Sequence, residues 1–147
     1  MTADIMKCQL VKETSCEYSK WNVDEPKTIY KLLCSLGLDK SAEEYFYLIC
    51  LDTKCNVVGI HEVSHGTLAA SLVHPREVFK RAIANNAYAI IIAHNHPSGD
   101  ASPSEEDFET TRRLRDAGDL LGIKLLDHII VGDNEWISFK LASYCEL

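Results

Sequence analysis

The stretch "YAIIIAHNHPSGDASPSEED", Tyr88 to Asp107, constrains the fold more than any other part of the chain. From Tyr88 to Ala93 it is unbroken apolar sequence that stops at His94, the pattern of a strand buried on both faces. Such a strand needs one packed layer above it and another below. Gly99, with proline and serine beside it, suits a tight turn, and Ser102-Pro103-Ser104-Glu105 then reads as a capping box with proline in the first helical position. A helix is predicted from Pro103 to Leu121, with Phe108, Leu114, Ala117, Leu120 and Leu121 along one stripe and Gly122 ending it.

The flanking sequence supplies the other layers. "IMKCQLV", residues 5–11, reads as a short edge strand. Asp24 is the expected N-cap of a helix over 25–37, where Ile29, Leu32, Leu33 and Leu36 recur at helical spacing and Gly37 stops the run. Residues 44–52 and 56–66 have strand length and composition, and the short polar turn between them makes them an antiparallel hairpin. A second helix opens at Pro75, carries Val78, Phe79, Ala82 and Ile83 along one face, and ends at Asn85 and Asn86. "KLLDHIIVG" and "EWISF" are two closing strands around a "GDN" turn. This order predicts an α/β fold, a three-layer α/β/α sandwich with a mixed central sheet.

At 147 residues, with 46% hydrophobic and 25% charged side chains, the chain matches one ordinary soluble domain. No repeat or linker divides it, so residues 26–147 are expected to form the domain, with 1–25 a separate N-terminal segment. The N-terminus carries no basic stretch followed by an apolar run, and no segment approaches the roughly 20 apolar residues that span a bilayer, which makes a cytoplasmic protein the expectation. The six cysteines are scattered and form no CxxC pair, so free thiols are expected and a cysteine zinc cluster is not. A formal charge of −7 disfavours nucleic acid as a partner, because such binding draws on Lys and Arg contacts to phosphate. Arg112, Arg113 and Arg115 read as a solvated helix face, and no feature sets an oligomeric state.

Chemistry concentrates in the opening stretch. His94 and His96 lie two apart at a strand end and share a face if the chain stays extended there. Ser104 and Asp107 lie three apart in the first turn of the next helix and also share a face. Two imidazoles and one carboxylate converge in this arrangement, the ligand count of a catalytic zinc site with a fourth position open. Taken singly these residues have ordinary uses: a serine at a helix start is a cap, an acid there complements the helix dipole, and Asp100 and the prolines make turns. Their joint spacing is more specific, namely HxH, seven residues, Ser, two residues, Asp.

This pattern resembles the HxHx7SxxD core of the JAMM, or MPN+, metalloproteases. "EVSHGTLAASLVHPREVF", "IIIAHNHPSGD", "PSEED" and "LLDHIIVG" are similar to the RadC-like branch of that superfamily, over about Glu44 to Phe139. The resemblance implies a JAB/MPN, cytidine-deaminase-like architecture, one Zn²⁺ per chain held by His94, His96 and Asp107, an oxyanion contact from Ser104, and an upstream strand glutamate as general base, matched here by Glu62. It implies hydrolysis of a peptide or isopeptide bond in a peptide or protein substrate. Longer RadC proteins carry an N-terminal helical module, which the first 25 residues here do not match. The alternatives are an accessory module in DNA repair or recombination and a non-catalytic interaction domain. His61, His65 and His74 are expected in surface or core roles, with His61 on the opposite strand face from Glu62. Asp127 and His128, a polar pair in an apolar strand, need buried partners and fit a contact to a zinc-bound histidine or a purely structural pair equally.

Overall fold

The computed structural model describes residues 3–17, 23–66 and 73–147; residues 1–2, 18–22 and 67–72 lie outside it. Helix α1 (Pro26–Ser35) leads into a single 3₁₀ turn and then the hairpin β1 (Tyr45–Leu51) and β2 (Val57–His65). Helix α2 (Pro75–Ala84) precedes β3 (Ala89–Asn95), and α3 (Glu105–Leu121) precedes the closing strands β4 (Lys124–Val131) and β5 (Trp136–Ser138). The five strands form one sheet in the order β2-β1-β3-β4-β5. Only β3 and β4 run parallel, and they are the pair joined through a helix, α3, as a parallel connection requires.

The alternation of side chains along the strands builds the two cores. On one face Phe46, Leu48, Ile90 and Ile92 pack with Val78 and Phe79 of α2 and Leu114 of α3. On the other, Ile49, Ile91, Ala93, Ile129 and Val131 pack with Ile29, Leu32 and Leu33 of α1. Every residue of β3 is buried, as its apolar run predicts. The mixed sheet between one helix and two is the expected three-layer α/β/α sandwich.

Three local expectations need correction. Residues 3–17 are exposed and form neither helix nor strand, so the edge strand over 5–11 is absent: among the described residues its backbone has no neighbouring strand to pair with. The cap position of α1 is Glu25 rather than Asp24, with Pro26 as the first helical residue, while Asp24 accepts a hydrogen bond from the Thr28 hydroxyl at 3.3 Å. Helix α3 begins two residues later than predicted, because its cap is Ser104 and not Ser102. "SPSEED" contains two overlapping Ser-x-x-acid boxes, Ser102 with Glu105 and Ser104 with Asp107, and the second one forms. Ser102 and Asp100 instead make a local turn, with the Ser102 N–H donating to Asp100 Oδ1 at 2.8 Å. Arg112 and Arg113 are exposed, as a solvated face should be.

Candidate metal centre

Strand β3 delivers both histidines. The His96 N–H donates to Val131 O at 2.9 Å, one step past the last β3 residue, so the chain is still extended there and alternation keeps His94 and His96 on the same side. His94 is fully buried, its ring stacked on Phe46 at 5.8 Å. His96 is pinned by its Nδ1–H, which donates to Asp100 O at 2.8 Å. Asp107, in the first turn of α3, is 1% exposed. It shares a reciprocal capping box with Ser104: the Ser104 N–H donates to Asp107 Oδ2 at 2.8 Å, and the Asp107 N–H to Ser104 Oγ at 3.2 Å.

These elements bring three ligand atoms together. His94 Nε2 lies 3.0 Å from His96 Nε2 and 3.0 Å from Asp107 Oδ1, and His96 Nε2 lies 3.3 Å from Asp107 Oδ2. A tetrahedral ion with bonds of about 2.0–2.1 Å holds its ligand atoms roughly 3.3 Å apart, so the residues present fit a small metal ion. No other group of three or more such side chains converges among the described residues. The His96 side chain, 18% exposed against 0% for His94 and 2% for Asp107, marks the solvent side of the cluster.

Electrostatics follow from this packing. Burial alone would raise the Asp107 pKa, but the adjoining imidazoles of His94 and His96, with the Ser104 N–H, prevail and hold the carboxyl well below the usual range. The Asp107 carboxylate in turn raises the His96 pKa against the opposing effect of burial.

Further supports lie behind the candidate ligands. His94 Nδ1 is 2.8 Å from His128 Nε2, and His128 Nδ1 is 2.7 Å from the Thr111 hydroxyl, which donates to Asp107 O at 2.6 Å. His128 is fully buried, which pushes its pKa well down. The polar pair in β4 therefore divides its roles. His128 backs a candidate ligand, whereas Asp127 ties down the end of β5 and the chain just after it by accepting from the Ser138 hydroxyl at 2.6 Å and the Lys140 N–H at 3.0 Å. The β4–β5 turn holds the histidine loop from outside. The Asp133 N–H donates to Gly99 O at 2.7 Å, and the Ala101 N–H to Glu135 Oε1 at 2.7 Å.

Glu62 is not brought to this cluster. Tyr47 of β1 pairs with Glu62 on one side and Ala93 on the other, which sets Glu62 two strands, or roughly 10 Å, from β3. Directly paired residues share a face. Glu62 therefore lies with Tyr47 on the α1 face, while His94 pairs with Phe46 on the α2/α3 face. Its carboxylate is exposed on the outer strand and bonds the ring of His65 at 2.6 Å. His61 does lie on the other face, against Asn85 at the end of α2, and His74 caps α2 by accepting from the Arg76 N–H at 3.0 Å.

An acid whose charge reaches the cluster is Glu44. Phe46 pairs with His94 in an antiparallel ladder, so two residues outward Glu44 faces His96, and its charge adds to the upward shift of the His96 pKa. The signal for it in the sequence was indirect: an acid just before the strand that neighbours β3.

Two imidazoles and one carboxylate at the end of the central strand of an α/β/α sandwich define a domain with a candidate metal centre. The chain belongs to the RadC-like JAB domain family, whose model matches residues 23–144. Among its relatives, a UPF0758 protein of Desulfitobacterium hafniense (strain DSM 10664 / DCB-2) is 58% identical over 97 residues, 66% of this chain and 43% of that protein. A UPF0758 protein of Caldanaerobacter subterraneus subsp. tengcongensis is 45% identical over 130 residues, 88% of this chain and 55% of that protein. One from Clostridium perfringens (strain ATCC 13124) is 43% identical over 140 residues, 95% of this chain and 61% of that protein. The chain thus spans about half the length of the curated relatives it matches. Among the described residues, no helix is long and apolar enough to cross a membrane.

Proposed function

We propose that this domain is a zinc-dependent hydrolase of JAMM type that cleaves an amide bond, peptide or isopeptide, in a peptide or protein substrate. The observation that carries this reading is the convergence of His94 Nε2, His96 Nε2 and Asp107 Oδ at spacings that suit zinc while providing only three protein ligands. When bound there, zinc supplies Lewis acidity, bringing the pKa of a coordinated water toward about 7. Each remaining role falls to the protein. Glu44, half-buried beside His96, is the acid placed to accept a proton at the solvent side of the cluster and return it to a leaving amine. The base role implied for Glu62 has no support from its position. Ser104 Oγ accepts from the Asp107 N–H, which leaves its hydroxyl proton free to donate to a developing oxyanion. Its exposure puts that donor where substrate arrives.

The test is zinc content of the wild-type chain and of His96→Ala, followed by hydrolysis of peptide and isopeptide substrates. Stoichiometric zinc lost in the variant, with hydrolysis that a chelator abolishes, is expected. A folded wild-type chain that takes up no zinc from zinc-replete medium overturns the reading. The net charge of −7 predicts no tight, salt-sensitive DNA binding by this chain.

A further inference from the structure

Thr111 contributes no atom to the ligand group, yet it is 0% exposed and ends a chain of hydrogen bonds that begins at His94. The directions along that chain are fixed from one end. Asp107 O is a carbonyl and only accepts, so the single hydroxyl proton of Thr111 goes to it. Toward His128, Thr111 Oγ1 is then an acceptor, and His128 carries its proton on Nδ1. A neutral imidazole has one such proton, so His128 Nε2 presents a lone pair to His94. His94 must donate through Nδ1–H, and its Nε2 is left as a lone pair facing His96 and Asp107.

We propose that Thr111 is a positioning residue that, acting through His128, holds His94 in the tautomer that binds metal. This rests on reading the cluster as a metal centre. The ring of His128 packs against those of Phe46 and Phe139, with centroids at 6.1 and 4.7 Å, and its two nitrogens meet Thr111 and His94, so its one proton goes to one of these two. Replacing Thr111 by valine keeps the shape and removes the acceptor. His128 then satisfies itself by carrying its proton on Nε2, which points a donor at His94 Nδ1. His94 answers by moving its own proton to Nε2, where it blocks the lone pair the metal needs.

The experiment compares zinc affinity, by competition with a chromophoric chelator, across four variants, and reads the histidine tautomers by ¹⁵N NMR in zinc-free and zinc-loaded wild-type chain. Thr111→Val is expected to weaken zinc binding about 10- to 100-fold, the usual effect of losing an outer partner of a ligand. Thr111→Ser, which keeps the hydroxyl, restores it. His128→Phe weakens binding similarly, whereas His128→Gln, whose carboxamide oxygen can accept from His94 Nδ1–H, retains most of it. The wild-type spectra should show His128 as the Nδ1–H tautomer. A folded Thr111→Val chain with wild-type zinc affinity overturns the proposal, and so does His128 found as the Nε2–H tautomer. If Thr111→Val does not fold, equal affinities in the two His128 variants overturn it, and a gap between them supports it. If the wild-type chain binds no zinc, the metal reading fails, while the tautomer of His128 still decides the relay.

Discussion

His94 Nε2 stands 3.0 Å from Asp107 Oδ1 although the two come from different layers, the end of the central strand and the first turn of α3. Both side chains are shut off from solvent, so the carboxylate depends on the two imidazoles and the Ser104 N–H for its partners. Asp107→Ala is therefore expected to abolish stoichiometric zinc binding. It should also lower the stability of the metal-free chain by about 1–3 kcal/mol, because it removes the acceptor from a buried cluster. Metal analysis and denaturant unfolding check the two effects separately. A variant that keeps both zinc and stability would sink the assignment.

The two glutamates are separated by the sheet. Glu44→Gln is expected to keep zinc and lower hydrolysis by about 10²- to 10⁴-fold, the range for losing a general base. Glu62→Gln, on the opposite face and bonded to His65, should change hydrolysis little. Turnover measured beside metal content decides between them, and the reverse ranking would return the base role to Glu62.

What the sequence made legible follows from which signals are local. The apolar run of β3, the helical stripes and the hairpin spacing each identify their element without knowledge of the rest, and HxH in extended chain places both imidazoles together. The position of Glu62 was not legible because a residue's face along one strand is local but its relation to another strand is not. Alternation separates His61 from Glu62, whereas only the pairings of Tyr47 with Glu62 and Phe46 with His94 show that Glu62 lies away from the ligands. The irregularity between Phe46 and Tyr47, where β2 holds an extra residue, is invisible in the sequence. Thr111 reads as an ordinary helical threonine until β4 sets His128 beside it.

The overlapping boxes at the start of α3 give a direct comparison. Ser104→Ala should destabilise the chain by about 1 kcal/mol through loss of the cap that bonds the Asp107 N–H. Ser102→Ala, at an exposed turn position outside the helix, should stay within about 0.5 kcal/mol. Thermal unfolding of the two variants tests which serine caps, and equal effects would contradict the observed cap.

Gly132 lets the β4–β5 turn approach the histidine loop. A Cβ there would collide with Gly99 O and crowd the Ala101 nitrogen at 2.9 Å, both of them backbone atoms with little room to yield. Gly132→Ala is expected to cost about 1–3 kcal/mol and to weaken metal binding by shifting the loop that carries His96. Unfolding and chelator competition measure the two effects, and an unchanged zinc affinity would show that the turn does not position the site.

Protons and metal compete for the same side chains, which fixes the sign of the pH dependence. The Asp107 carboxylate raises the folded-state pKa of His96 above the unfolded value of about 6.5, so the bound proton stabilises the metal-free chain below that pH. That contribution is lost as pH rises through the folded pKa. His128 acts in the opposite sense: burial depresses its pKa, and unfolding below about 6.5 takes up a proton that the folded state refuses. Burial also lowers the pKa of His61, which adds to the acid side. The metal-free chain should therefore be most stable near pH 6.5 and weaken in both directions. Zinc requires His96 without its competing proton, so the stabilisation it adds should grow from about pH 6 to about pH 8. Urea unfolding across that range, with zinc and with chelator, measures both curves. Stability of the chelated chain that keeps rising above pH 6.5, or a zinc increment independent of pH, would contradict the coupling of His96 to Asp107.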